Sequence, residues 1–266
     1  MSAQLQATAR ISHVLREDPE LLEAIPIAER QQAIDTCIAP LARIRRGRWN
    51  GEWPDLTENA IGLLVLQGLL VRRVGIDGRF GAELLGQGDM LRPWQREAAQ
   101  PTIPQTTGWR VLEPTRVAML DDRVAHRFAR YPELTGRLVG RALERSRTLA
   151  VNMAIVHQPR VEVRLHMLFW HLADRWGKVR RDGVVVPIRL THSVLADLVA
   201  ARRPTVSTSL AELAKRRLVW AEDDEWLLAG DPPTELLELQ EVAVGAPAAH
   251  ADRPVANAQA VASPRS

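Results

Sequence analysis

The sequence predicts an α+β chain in three successive parts: a jelly-roll-like β-roll, a long connecting helix, and a compact C-terminal unit of short helices and strands. Three observations predict it. Short apolar runs punctuated by Gly or Pro fill Ile44 to Leu120, the pattern of many short strands. From Asp121 to Val156 apolar residues recur at helical spacing, interrupted by Pro132 and isolated glycines. From Leu190 to Val219, LTHSVLADLVAARRPTVSTSLAELAKRRLV, two amphipathic helices flank a tight basic turn.

Taken in order, Met1 to Arg10 is polar and no apolar stretch of a signal peptide follows. Glu20 to Ile44 places Leu21, Leu22, Ile25, Ile27, Ile34, Ile38 and Leu41 as in short helices interrupted at Pro26 and Pro40. Cys37 falls on that pattern and reads as a buried small hydrophobe, with a redox-sensing thiol as the alternative. A single cysteine excludes an intrachain disulfide and any multi-cysteine zinc or iron-sulfur site. The strands expected next include Ile61 to Val71 and Val111 to Leu120. The first is broken by Gln67 and two glycines and stops at Arg72-Arg73, too short for a membrane span, so a cytoplasmic protein is expected.

On the long helix, Leu134, Leu138, Ala142, Leu149 and Met153 form one stripe. It packs either on the roll or, as the preferred expectation, on a second copy as a homodimer seam. Proline ends the helix near His157-Gln158-Pro159, a candidate hinge. Arg160 to Trp176 reads as a further helix with Val161, Leu165, Leu168, Phe169 and Leu172 inward, and with Phe169, Trp170 and Trp176 filled in against the strands that follow. His166 and His171 are five apart, off a common helical face, and so are no metal pair.

In the C-terminal unit, Thr191 is the expected N-cap of a helix to about Ala200 that buries Val194, Leu195, Leu198 and Val199. A second helix starts near Arg203 with Pro204 in its first turn and buries Val206, Leu210 and Leu213, with Ala214 beside them. Thr205, Ser207, Thr208 and Ala211 then face outward, flanked by Arg202, Arg203, Lys215, Arg216 and Arg217. Small outward side chains and basic ends suit a helix entering a DNA major groove, where phosphates dominate affinity and base edges set sequence. An ordinary helical hairpin with a solvated face is the alternative. Context favours the first. Val184 to Leu190 reads as a strand, and Leu218 to Ala221 and Trp226 to Leu228 as a hairpin around Glu222-Asp223-Asp224-Glu225, which together make a winged helix-turn-helix. Net charge over the 266 residues is only +3, yet Arg160 to Arg217 holds twelve Lys or Arg against five Asp or Glu, and Leu218 to the last residue two against nine.

These residues resemble the C-terminal domain of the Crp/Fnr family of bacterial transcription regulators. The resemblance is carried by Thr191, Leu195-Ala196 and Arg203-Pro204-Thr205-Val206-Ser207-Thr208-Ser209-Leu210. It implies a dimer on a palindromic operator in double-stranded DNA, with Thr191, Arg202, Arg203, Thr205, Ser207, Thr208, Lys215 and Arg216 at the interface. Members commonly carry Glu after the Arg and Arg three places after the Thr, where this chain has Pro204 and Thr208. Arg203 alone is therefore carried over as a guanine contact.

Upstream, Gly68 to Arg73 and Gly88-Asp89-Met90-Leu91 are similar to pieces of that family's cyclic-nucleotide-binding-like sensor roll. In cyclic AMP binders the Gly-Asp turn leads to a helix with a ribose-binding Glu and a phosphate-binding Arg. Here prolines break the segment from Leu91 to Pro104, and Arg92, Arg96 and Glu97 stand at other spacings. Glu83, in Gly81-Ala82-Glu83, precedes the turn instead of following it. Cyclic AMP gating is not expected, and no effector residues are assigned. No histidine falls in the strand-rich body of the expected roll, Ile44 to Leu120, to anchor haem, and the cysteine cluster of oxygen sensors is lacking. The expected parts are a roll at 1–120, a dimerisation helix at 121–157, a winged helix-turn-helix at 158–228 and a largely disordered tail at 229–266 with a helical patch at Thr234 to Leu239. The tail is either solvated chain or a contact for RNA polymerase. Two functions stay open, a DNA-binding regulator without cyclic AMP gating and a version gated by a small nucleotide or anion. An enzyme is disfavoured, since no nucleophile elbow, phosphate loop or metal pair is present.

Overall fold

Two long strands organise the N-terminal part because each has a stretch that is apolar on both faces, Leu63–Leu66 in one and Val117–Leu120 in the other. The computed structural model describes residues 5–53, 60–94 and 102–233, with only the backbone of 5–10. The chain divides into Met1–Gly230 and Asp231–Ser266, and of the second unit only residues 231–233 are described. The helical patch and tail expected from the sequence lie outside the described residues, as do Arg96 and Glu97.

The chain opens with β1 (Leu5–His13), which pairs antiparallel with β2 (Ile38–Ile44). This strand was not expected, since a polar segment carries no alternating apolar signal. Between the two lie α1 (Val14–Glu17), α2 (Pro19–Glu23), a 3-10 turn at Ile27–Glu29 and α3 (Arg30–Thr36). Asp18 caps α2 by accepting from the Leu21 amide at 3.3 Å, with Pro19 in the first turn, where a proline removes no needed donor. The expected helix through Ile38 and Leu41 is replaced by β2. Pro40 cannot donate within a helix, but in β2 it sits opposite β1 before pairing with β7 begins at Leu41. Cys37 ends α3 fully buried, and burial pushes its thiol up to about 11, as an inert small hydrophobe requires.

Next come β3 (Gly47–Trp49), β4 (Gly62–Ile76), β5 (Arg79–Leu85), β6 (Met90–Leu91) and β7 (Thr106–Leu120). Among the described residues these form one antiparallel sheet in the order β1-β2-β7-β4-β5, with β3 on β7 and β6 on β4. Alternation along β4 sends Leu63 and Val65 into the roll with Trp49, Trp53 and Trp109, and Leu64 and Leu66 outward under the helices. That explains the unbroken apolar run. Gly68, at φ +103, interrupts the register of β4 on β7. A Cβ there would stand 2.6 Å from the Thr115 hydroxyl and 2.7 Å from the Pro114 carbonyl, so only glycine fits.

The expected single helix is two. Asp121 caps α4 (Asp122–Phe128), and α5 (Pro132–Val156) restarts after Tyr131, because a residue before proline avoids helical geometry. Phe128, Tyr131 and Leu134 complete the layer under the helices, and Leu138 packs against it. This corrects the expected seam. Leu134 is fully buried in its own roll, and Leu149 lines a cavity beside it. The exposed stripe is offset to Val139, Leu143, Ala150 and Met153, spaced four, seven and three apart.

The C-terminal unit begins with α6 (Val161–Trp176), followed by β8 (Lys178–Arg180), β9 (Gly183–Val186), α7 (His192–Leu198), α8 (Arg203–Lys215), β10 (Val219–Glu222) and β11 (Glu225–Leu228). The strands form a second sheet in the order β10-β11-β9-β8. The expected strand at Val184 stops at Val186 ahead of Pro187, while β8 carried no inward apolar residue to announce it, its Val179 being 87% exposed. Asp223 and Asp224 both take positive φ, as a two-residue turn between right-twisted strands demands. Phe169 on α6 meets Trp226 on β11 with ring centroids 4.7 Å apart. Trp176 does not join them, since it lies over Gly86 of the roll.

No helix among the described residues is long and apolar enough to cross a membrane. Phe169→Ala should cost about 3–5 kcal/mol, because it deletes a fully buried ring at the centre of the C-terminal unit. Denaturant unfolding of the whole chain checks this, and a loss below about 1 kcal/mol would refute the packing account.

Candidate nucleic-acid interface and the adjoining cavity

Apolar burial presents α8. Val206, Leu210 and Leu213 point into α6 and α7 and are at most 7% exposed, so the opposite face of the helix is left to solvent. Arg202, Arg203, Pro204, Thr205, Thr208, Ala211 and Lys215 are exposed there. Ala214, expected beside the core, is exposed as well.

Both ends of the turn are tied down. Thr191 caps α7 by accepting from the Val194 amide at 3.3 Å. Ala200 takes φ +48 and the Ala201 amide donates back to the Ala196 carbonyl at 2.9 Å, which closes α7 with a left-handed residue. Arg164 on α6 donates to the Val199 carbonyl at 3.1 Å, holding that turn from behind. The sequence reading missed Arg164, since an arginine within an amphipathic helix gives no sign of what its guanidinium reaches.

The candidate interface residues have different surroundings. Arg202 and Arg203 are exposed and enter no ion pair among the described residues. Thr205 and Thr208 are exposed, the Thr208 hydroxyl donating to the Pro204 carbonyl at 3.3 Å. Ser207, expected to face outward, is half-buried and lies against His192. The cause is geometric: the first turn of α8 runs beside the start of α7. Lys215 pairs with Glu212 at 2.6 Å and Arg216 with Glu162 of α6. In the acidic hairpin turn Arg189 pairs with Asp224 and Arg180 with Glu225. Part of the basic excess counted along the sequence is therefore internally neutralised.

Between the roll and α5 lies a cavity of about 770 Å³, bordered by Arg72, Asp89, Met90, Trp109, Arg145 and Leu149 among others. Glu83, expected to be out of place for a ligand, is 5% exposed and occupied. It receives Arg145 through two bonds, at 2.6 and 3.0 Å, and lies 2.5 Å from Arg72. Those bonds raise the basicity of Arg145 although burial opposes it. Arg92 stands at the exposed rim of the cavity.

The same strands bind the C-terminal unit. Arg73, next to Arg72 but on the other face of β4, pairs with Asp197 of α7 at 3.0 Å. Desolvation nevertheless pushes the Asp197 carboxyl up, against the pull of Arg73 and Arg110. Asp89 caps its own turn, accepting from the Gly86 amide at 2.7 Å, and also takes Arg175 of α6 at 2.9 Å. Burial lowers His171, while Trp170 donates to His166 at 3.1 Å. Among the described residues no group of three or more His, Cys, Asp or Glu could hold a metal ion.

Residues 163–225 match the family described as the Crp-like helix-turn-helix domain. Solved structures similar to the chain include a mutant of CooA from Carboxydothermus hydrogenoformans, with 16% identity, 88% of this chain and 97% of that one covered, and a TM-score of 0.57. CprK complexed with OCPA is 14% identical over 86% of this chain and 93% of that one, at a TM-score of 0.52. The c-di-GMP responsive global regulator CLP of Xanthomonas campestris is also 14% identical, over 80% and 100%, at 0.52. None of the curated proteins matches the chain. The chain thus shares the fold of CooA and CprK, a β-roll followed by a long helix and, at its C-terminal end, a Crp-like helix-turn-helix domain.

Proposed function

We propose that this chain, which has the Crp/Fnr regulator fold and a Crp-like helix-turn-helix domain, is a transcription regulator that reads a palindromic operator as a homodimer. The observation that carries the reading is the exposed face of α8, where Arg203 and the small residues Thr205, Thr208 and Ala211 stand clear of the body. Small side chains let a backbone approach base edges, and the guanidinium fork fits the two major-groove acceptors of guanine. Arg202, Lys215 and Arg216 lie where phosphates flank such a helix. Pro204 and Thr208, which depart from the common family pattern, change which bases are read.

A dimer is supported by the α5 stripe of Val139, Leu143, Ala150 and Met153, of which Leu143 is 56% and Met153 64% exposed. Their spacing keeps the stripe on one side of the helix, as a two-helix seam requires. Two linked reading helices also multiply weak half-site affinities.

The cavity favours a second reading, a regulator gated by a small anion. Its wall combines the indole of Trp109 and the apolar Met90 and Leu149 with arginines, a lining for an apolar body bearing a negative group. CprK with OCPA bound and the c-di-GMP responsive CLP share the fold. Cyclic AMP fits this wall poorly, because its Glu and Arg do not stand at the spacing of a nucleotide cassette and Glu83, held by Arg72 and Arg145, is not open to a ribose hydroxyl.

Selection of duplexes from a random pool tests the first reading, with Arg203→Ala expected to lose discrimination at one base pair by about 1–3 kcal/mol. Lys215→Ala should weaken all duplexes alike and lower the salt slope by about 0.9. Equal binding of random and selected duplexes by the wild type would overturn the reading. Leu143→Glu should shift the protein toward monomer in sedimentation at micromolar concentration, whereas an unchanged mass would remove α5 as the seam. For the cavity, titration with an aromatic carboxylate should change tryptophan fluorescence where cyclic AMP leaves it unaltered; no change with either would discard the gated reading.

A further inference from the structure

We propose that His192 contacts a DNA phosphate through Nε2 while Ser207 aims its ring, so that duplex binding takes up a proton and tightens as pH falls. This rests on the DNA-binding reading above. His192 opens α7, and its Nδ1 lies 2.8 Å from the hydroxyl oxygen of Ser207 on α8. That hydroxyl is 3.2 Å from the carbonyl oxygen of Arg203, to which it donates. The imidazole therefore bridges the two helices of the motif, and its Nε2 makes no hydrogen bond among the described residues. The ring borders a recess of about 470 Å³ whose other walls are Thr191, Ser193 and Arg203. Arg203 is the charged group facing it there, and no acidic side chain lines the recess.

Counting hydrogens decides which form of the ring the site needs. Ser207 has one hydroxyl hydrogen, and while that goes to the Arg203 carbonyl its oxygen can only accept from His192, so Nδ1 must carry a hydrogen. A phosphate on the other side needs a hydrogen on Nε2. Both are present only in the imidazolium. A neutral ring must give up either the phosphate, the Ser207 bond or the Arg203 carbonyl. With the phosphate seated on the imidazolium, the complex holds one proton that the free ring need not hold, and imidazoles exchange that proton between about pH 5 and 8. An ordinary N-terminal polar residue on α7 would give no such linkage. The hydroxyl on the small side chain of Ser207 is likewise more than filler: it orients the ring across 15 residues of sequence.

The test measures binding of the full chain to its selected duplex at pH 6 and pH 8, each over a salt series, for the wild type, His192→Gln, His192→Arg and Ser207→Ala. Wild-type affinity should rise about three- to tenfold from pH 8 to pH 6, the span open to one linked proton on a histidine. His192→Gln should lose that rise, and its salt slope at pH 6 should be smaller by about 0.9, one phosphate contact. His192→Arg should bind tightly at both pH values. Ser207→Ala should bring the pH 6 affinity down toward that of the Gln variant. A His192→Gln protein with the wild-type pH rise and salt slope overturns the proposal. If Arg203→Ala has meanwhile lost discrimination, the regulator reading survives that result. A wild type that does not prefer its selected duplex overturns both.

Discussion

The inward face of α8 is the constraint on which the candidate function depends. Val206, Leu210 and Leu213 are held under α6 and α7, and burying each such side chain is worth about 1.5–3 kcal/mol. Rotating the helix by half a turn would expose all three, a cost comparable with the whole stability of a small domain. The helix is therefore pinned about its own axis, and the direction in which Arg203, Thr205 and Thr208 point follows from its apolar side. Arg164 and the left-handed Ala200 add a second restraint, because they set where α8 begins.

Three carboxylates, Glu83 and Asp89 buried and Asp197 half-buried, join the parts of the molecule. Glu83 takes arginines from β4 and α5, Asp89 takes Arg175 from α6, and Asp197 on α7 takes Arg73. Such pairs gain little net stability, since removing both charges from water offsets their attraction. Their effect is on placement: breaking any one leaves a charge without its partner inside the protein. Arg72 and Arg73 are neighbours in sequence yet serve opposite faces of β4, so a single strand touches both the cavity and the helix-turn-helix. The cavity and the C-terminal unit are thereby in physical contact through a short, stiff path.

The parts legible in the sequence share one property, a period. Thr191, the apolar positions of α7 and α8, Pro204 and the hairpin around Asp223-Asp224 were readable because cap, periodicity and turn chemistry agree locally. Where local signals were absent or opposed, the reading failed. The strands β1 and β8 carry no alternation, and Ile38 to Leu41 has a helical spacing that Pro40 and pairing with β1 override. The expected stripe on α5 divides, because Leu134 and Leu138 are consumed by the roll while Met153 stays exposed beside Val139 and Leu143. Periodicity shows that a helix has an apolar side and not which neighbour covers it.

The sequence by itself determined the order of the parts, the helix-turn-helix and most of its outer face, Ser207 and Ala214 excepted, since each follows from interactions within a few residues along the chain. Tertiary structure alone decided that Ser207 turns toward His192, that Glu83 is spent on Arg72 and Arg145, and that Trp176 lies on the roll instead of under the hairpin. Those partners are separated by 11 to 90 residues, and a side chain's partner at such range is set by how whole elements pack, which no local pattern encodes.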